Sequence, residues 1–269
     1  MISGETTHER KRNATWQRQV IKYPYMKLHF NHVFGKITKM DIQYTPVYAT
    51  VEPHEVEHAL GTGWVKLYWD EDNNPSNLWQ QIRSTRINLN EYKASKNHRK
   101  TLKQEIHVSV KPYAEADQSK IQTLYKEYLA YKKFDSWDNP IPGSTIFEYS
   151  YEGQLIGFTL CEEHKHSMES LIFAWNYKHP QLRLGQFSLL HEMMYAKNKK
   201  LRYLYLSAGY EVASKYKADY KGFEWWTGSN WSKDKELYRK SCDADSRIQT
   251  IKDLADYETN WMKAVQTDK

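Results

Sequence analysis

Three groups of residues in this chain have types and spacings that could do chemistry. Glu162 and Glu163 close the apolar run Leu155 to Cys161. A carboxylate at a strand end can act as a general base, and a solvated hairpin end would carry the same pair. Gln181-Leu182-Arg183-Leu184-Gly185-Gln186-Phe187 stands between a strand-like run and an amphipathic helix. Its glycine lets backbone approach a ligand, and the helix start offers free N–H groups to an anion. A pyrophosphate would ask for a second small residue where Phe187 stands, so the turn suits one poorly; it also reads as a tight connection. Lys215, Lys217 and Lys221 alternate with Tyr216, Tyr220 and Phe223. Lysines neutralise phosphates and aromatics stack on exposed bases, while an amphipathic element with solvated lysines would show the same pattern. A basic block, Ser95 to Lys103, offers either a phosphate-tracking surface or a solvated helix face. His164, His166, His179 and His191 lack a metal spacing, and His191-Glu192 has no second histidine at the required distance. No metal and no cofactor are expected.

The elements that must position these groups follow from periodicity. Pro53 to Leu60 reads as a short helix, Trp64 to Trp69 and Ser84 to Asn90 as strands, and Ile106 to Val110 as another. Asp117 can cap a helix whose Ile121, Leu124, Tyr125, Tyr128 and Leu129 form a core-facing stripe. Strands at 145–151 and 154–162 meet at the turn Glu152-Gly153; strands at Leu171–Trp175 and Leu201–Leu206 flank the Gly185 helix. Helices follow at 233–242 and 248–262. The order predicts an α+β fold with a mostly antiparallel mixed sheet flanked by helices. It resembles the working half of a GNAT-type acyltransferase. The expected organisation is a flexible tail (1–20), a smaller mixed N-terminal domain (21–105), a GNAT-like domain (106–240) and a helical C-terminal extension (241–269).

A chain of 269 residues with 40% hydrophobic content can bury one or two cores. Its 21 Tyr and 10 Trp exceed what a core absorbs, so some must lie at surfaces or in grooves. The net charge of +6 suits a phosphate-bearing partner. Two cysteines, Cys161 and Cys242, without a CxxC pair, argue against a disulfide framework and a thiolate zinc site. No apolar run approaches the ~20 residues of a membrane helix. The polar Met1 to Gln19 lacks a signal-peptide core, and the cytoplasm is the default location.

Taken in order, the motifs resemble the arginyl-tRNA–protein transferases and their bacterial relatives, the aspartate/glutamate leucyltransferases. The family has a strand ending in an acidic residue, the place of Glu162 here. Its Tyr-Tyr-Asp-Pro and Ser-Leu-Gly-x-Tyr segments are met by Trp175-Asn176-Tyr177 and Arg183-Leu184-Gly185-Gln186-Phe187 without a gap. Its Tyr-x-Tyr-Leu-Gly-Tyr is met by Tyr203-Leu204-Tyr205-Leu206 running into Gly209-Tyr210, and its Lys-Met-x-Tyr-Lys by Lys217-Ala218-Asp219-Tyr220-Lys221. Gly63-Trp64 and the Ser95–Leu102 block echo upstream motifs. The family's cysteine cluster is missing, Asn176 replaces its Asp, Arg183 its Ser, Ser207-Ala208 are extra, and Phe223-Glu224-Trp225 stands for Phe-Arg-Pro.

The resemblance implies transfer of an amino acid, arginine or another, from an aminoacyl-tRNA to the amine of a protein N-terminus, a peptide or a small molecule. It makes Glu162, Tyr205 and Asn176 the catalytic candidates, with Glu162 as base. It gives Arg99, Lys217 and Lys221 to acceptor-stem phosphates and Tyr220 to the terminal adenine. Trp175, Arg183, Gly185 and Tyr210 complete the substrate-binding set. An acyl-coenzyme A transferase and a non-catalytic tRNA-binding module of the same fold are the alternatives.

Overall fold

A computed structural model describes residues 49–69, 75–133, 143–210 and 212–248, the strands β1 (Lys27–Val33) and β2 (Lys36–Gln43), and residue 253. The tail expected at 1–20 and almost all of the helix expected at 248–262 lie outside the described residues.

β1 and β2 form an antiparallel pair. β3 (Ala49–Thr50), helix α1 (Val56–Gly61), β4 (Trp64–Trp69) and β5 (Pro75–Gln81) follow, and the strands make a three-stranded sheet in the order β3-β5-β4. β5 was not read from the sequence, because Asp70 to Ser76 is dense in turn formers and hides the strand start. Then come β6 (Ser84–Asn88), α2 (Lys96–Thr101), β7 (His107–Pro112), α3 (Gln118–Lys132), β8 (Thr145–Tyr151), β9 (Gln154–Glu163), β10 (Ser167–Trp175), α4 (Leu184–Asn198), β11 (Tyr203–Ala208), a 3-10 segment (Val212–Asp219), β12 (Phe223–Trp226), β13 (Trp231–Ser232) and α5 (Lys235–Asp245).

β6 through β13 form one eight-stranded sheet in the order β13-β12-β6-β11-β10-β9-β8-β7. β6 lies ahead of the division expected at 105/106, yet it is hydrogen-bonded between β11 and β12. That division therefore separates neighbours within one sheet. β6 is almost wholly buried, and only the sheet interior offers its backbone partners. All pairings are antiparallel except β10–β11. This is the α+β, GNAT-like arrangement read from the sequence.

Alternation along the strands sorts side chains to two faces. On one face α4 sets Leu184, Phe187, Leu190 and Met193 against Phe147, Tyr149, Ile156, Met168 and Leu204. Gly157 permits this approach, since a Cβ there would lie 2.7 Å from the Leu184 side chain. On the other face the expected stripe of α3, Ile121, Leu124, Tyr125 and Leu129, packs on Ile146, Phe158, Leu160 and Ala174. Asp117 caps α3 by accepting the Lys120 N–H at 3.2 Å. The small sheet and α1 cover the rest of that face, where Leu60, Trp64 and Trp79 meet Tyr205.

Candidate active site

The only parallel pairing of the large sheet is short. Ser167, Met168 and Glu169 of β10 face Tyr203, Leu204 and Tyr205 of β11, after which β10 continues to Trp175 with no β11 partner. A register shift between Ser170 and Ile172 marks a bulge just past the last pair, and bulges bend the strand that carries them. β11 is irregular too, with Ser207 in the left-handed region at φ 58°. The strands splay, and the gap is a cavity of about 520 Å³ on the α4 face. Ligand pockets occupy roughly 300–1,000 Å³.

β10 lines this cavity with Ser170, Ile172 and Phe173, and α4 with Gly185, Gln186, Leu189 and Glu192. β11 adds Leu206 and Ser207; the 3-10 segment and the residue after it add Tyr216, Lys217, Asp219 and Tyr220. α2 braces the cavity from behind, as Thr101 Oγ1 donates to Gln186 Oε1 at 3.0 Å.

Glu192 is the most chemically loaded of these groups. It is 1% exposed, and one oxygen accepts from Thr159 Oγ1 at 3.1 Å. Thr159 has one proton to give, so the Tyr149 hydroxyl 3.1 Å away donates to Thr159 in turn. The second carboxylate oxygen of Glu192 is buried without a well-formed hydrogen bond, with the Ser170 hydroxyl near enough to stabilise the carboxylate. Burial pushes its pKa up to about 7, against the pull of Ser170 and Thr159. A carboxyl titrating near neutrality can take and give a proton under working conditions. Sequence reading missed Glu192, seeing only an incomplete metal motif. The available signal was an acid seven residues after Gly185 and four before Ala196, on the buried stripe of the helix.

Lys217 lies in the cavity wall in a different role from the one expected. It is 8% exposed, and its Nζ donates to the carbonyls of Leu206 and Ala208, both at 2.6 Å. Burial lowers its pKa to about 8. The ammonium ties down the irregular end of β11 and is not presented to a phosphate backbone. Tyr220 is 2% exposed, with its ring 5.1 Å from that of His98, so it is not a free stacking surface for adenine. Packing of the 3-10 segment against α5 buries Lys217 and Ala218, with Tyr220 just after them, and leaves Tyr216 and Lys221 exposed.

Gly185 lines the cavity, though a Cβ there would make only an ordinary 3.6 Å contact with Phe173. Arg183 starts α4 in the left-handed region at φ 47°, and its side chain does not cap the helix. Trp175 ends β10 half-buried, its ring 4.1 Å from that of Tyr177. Asn176 Oδ1 accepts the Lys178 N–H at 3.2 Å, and its own N–H is taken by Ile156 O, so it shapes a turn. Tyr210 is half-buried against the main core. Arg99 is on α2 and folds back, donating to Ala94 O at 2.7 Å. Lys221 is exposed in the turn before Gly222.

Glu162 and Tyr205 lie on the opposite face. Glu162 and Tyr205 both pair with Glu169, and Tyr205 also pairs with Arg86, which pairs with Glu224. These five residues form a row across five strands. Glu162 Oε2 accepts the Ser144 N–H at 2.8 Å, and Glu169 Oε2 is 2.8 Å from His164 Nε2. Arg86 binds Glu224 at 2.7 Å and is stacked 3.8 Å from both the Tyr203 and Trp231 rings. Burial pushes the Tyr205 hydroxyl up to about 12, against the pull of Arg86. Tyr205 is therefore a donor at neutral pH. Glu163 turns to the α4 face, where Thr145 at 2.9 Å and Tyr195 at 2.7 Å donate to it.

The sheet, its single splayed pair and the cavity against α4 make a GNAT-like fold. The family model for the C terminus of arginine-tRNA-protein transferase matches residues 96–225, which run from α2 into β12 and contain the whole cavity lining. That segment is similar to this family over just under half of the chain. Among solved structures, the chain is similar to the C-terminal domain of a putative lysylphosphatidylglycerol synthetase from Agrobacterium fabrum, at TM-score 0.41 and 10% identity over 58% of this chain and 51% of that one. For L-PGS from Bacillus licheniformis the values are 0.40, 11%, 59% and 52%. For FemX they are 0.37, 11%, 62% and 62%. The matches to the first two thus span about half the length of those chains. Among the described residues no helix is long and apolar enough to cross a membrane.

Proposed function

We propose that this protein is an aminoacyl-tRNA-dependent aminoacyltransferase acting on the amine of a protein N-terminus, a peptide or a small molecule. The observation that carries this reading is the splay cavity, with its buried carboxyl, inside the segment that matches a tRNA-dependent transferase family.

An aminoacyl-tRNA is an activated ester. The acceptor amine attacks the ester carbonyl, a C–N bond forms, and the C–O bond to the tRNA 3′ oxygen breaks. One proton must leave the amine and one must reach the departing oxygen. Glu192 takes the first and returns it, since its pKa near 7 serves both steps. Its second oxygen is the one available for the task, the other being held by Thr159. The protein's main contribution is to hold ester and amine in line, which can supply on the order of 7–11 kcal/mol of barrier reduction. Lys217 fixes the β11 wall against which the ester lies.

The test is transfer from a mixed pool of labelled aminoacyl-tRNAs to a panel of peptide and small-amine acceptors. Acceptor-dependent loss of label from one aminoacyl-tRNA is the expected result and names the donor. Bound tRNA that stays charged with every acceptor would sink the reading.

A further inference from the structure

Between Glu91 and Glu105 the chain has no carboxylate, while Lys93, Lys96, Arg99, Lys100 and Lys103 all fall there. α2 turns this composition into a surface. Lys96, Arg99, Lys100 and Lys103 follow the spacing i, i+3, i+4, i+7, which sets them on one side of the helix and of the turn that continues it. All four are exposed, as is Lys93 ahead of the helix, whereas His98 and Thr101 are buried on the side toward α4. At 1.5 Å per residue the stripe is about 10 Å long. Among the described residues none of these five cations is in an ion pair. Arg99 donates to Ala94 O and still has guanidinium N–H groups to give. The neighbouring carboxylates are engaged elsewhere, Glu91 with Lys233 at 2.6 Å and Asp219 with Arg239 at 2.8 Å.

The inner side of α2 walls the cavity. Thr101 donates to Gln186, and the His98 ring is 5.1 Å from that of Tyr220; Gln186 and Tyr220 both line the cavity. The stripe is thus one helix diameter, about 10 Å, from the lining. At the other end Lys197 Nζ donates to Tyr92 O at 3.1 Å, which holds the start of the run on α4 and sets a sixth exposed cation near Lys93. Single-stranded RNA would ask for open aromatic faces, and the one tyrosine of the run, Tyr92, is 4% exposed. A lipid surface would ask for apolar anchors, and no apolar side chain of the run is exposed. Cations alone fit the phosphates of a duplex. We infer that the exposed face of α2, with Lys93 and Lys197, is the docking surface for the double-stranded acceptor stem of the tRNA. It holds the stem by charge, without reading its sequence, while the 3′ end reaches the cavity behind α2. The inference rests on the proposed function. It keeps Arg99 among the phosphate contacts and replaces the buried Lys217 with the lysines of α2.

The test is binding of an acceptor-stem minihelix, and of its single-stranded 3′ segment alone, over a range of salt. The variant carries Lys96→Gln, Lys100→Gln and Lys103→Gln together, all at exposed positions. A control variant removes the same charge elsewhere, with Lys120→Gln, Lys126→Gln and Lys165→Gln, also exposed. Each lost phosphate contact takes about 0.9 from the slope of log affinity against log salt, so the α2 variant should flatten it by about 2–3. Its minihelix binding near 0.1 M salt should weaken roughly a hundredfold. The single-stranded segment should bind it as it binds the wild type. In single-turnover transfer the variant should need more aminoacyl-tRNA for half-maximal rate and keep the saturating rate. An unchanged salt slope, or equal weakening in the control variant, would overturn the inference while the transferase reading stands. Equal weakening for the single-stranded segment would overturn it too, and would give the lysines to the 3′ end. So would a variant that loses binding to anionic lipid vesicles and keeps the minihelix. A wild-type protein that binds no minihelix would overturn the docking surface and the tRNA reading together.

Discussion

The two faces of the central sheet carry polar groups of opposite character. On the Glu162 face, Glu162, Glu169, Tyr205, Arg86 and Glu224 form a row, and the partners found are near: Ser144, His164, Arg86 and Glu224. On the α4 face, the polar groups of the cavity are fewer, yet Glu192 keeps one buried oxygen without a well-formed hydrogen bond. A satisfied network holds a structure together, while an unsatisfied buried group is costly and marks where a substrate can complete the set. Under the proposed function the chemistry belongs to the α4 face, because there the unsatisfied group also lines the cavity. The Glu162 face, more conspicuous in sequence, fastens the sheet to the small sheet above it.

Removing the centre of the Glu162-face network gives the largest expected stability change. Arg86→Met leaves the buried Glu224 with only the distant Lys233, at 3.9 Å, as an ion partner and should cost about 3 kcal/mol, read as a lower midpoint in urea unfolding. A change under 1 kcal/mol would mean that the row does not fasten the sheet.

The α4 face should show the opposite behaviour with pH. Glu192 ionises near 4.5 when unfolded and near 7 when folded, so the folded state binds the extra proton between those values and stability falls as pH rises through them. Glu192→Gln removes this slope. The variant should match the wild type near pH 4 and exceed it above pH 8, by at most about 3 kcal/mol. Parallel stability–pH curves would place Glu192 in contact with a cation or water.

Lys217→Ala separates a fastening role from a phosphate-binding one. Two carbonyls lose their donor, so the expected cost is about 1–3 kcal/mol, with the salt dependence of tRNA binding unchanged. A flatter salt slope would return Lys217 to the tRNA. The smallest effect is expected for Glu162→Gln. Its amide oxygen can still accept the Ser144 N–H, so stability should shift by under about 0.5 kcal/mol and transfer by under about threefold. A hundredfold loss of transfer would make Glu162 the base after all.

The fold was legible because periodicity reports burial. The α3 stripe with its Asp117 cap, the β8–β9 turn at Glu152-Gly153 and the helix behind Gly185 all lie where their apolar spacing places them. What escaped was long-range. Nothing local in Ser84–Asn88 says that it pairs between β11 and β12, and the turn formers of 70–76 conceal where β5 starts. The site was half legible for the same reason. Gly185 and Lys217 were found at the cavity, but residue type cannot tell a lysine on a phosphate from a lysine on two carbonyls. Glu192 became visible only when the splay put its helix face against empty space.

The most direct test is the single-turnover transfer rate against pH, with wild type, Glu192→Gln and Glu162→Gln side by side. The wild-type rate should rise through an inflection near pH 7. Glu192→Gln should lose roughly 10²–10⁴-fold in rate and the inflection with it, while binding tRNA normally, and Glu162→Gln should keep both. An inflection that survives in Glu192→Gln and vanishes in Glu162→Gln would move the chemistry to the other face of the sheet.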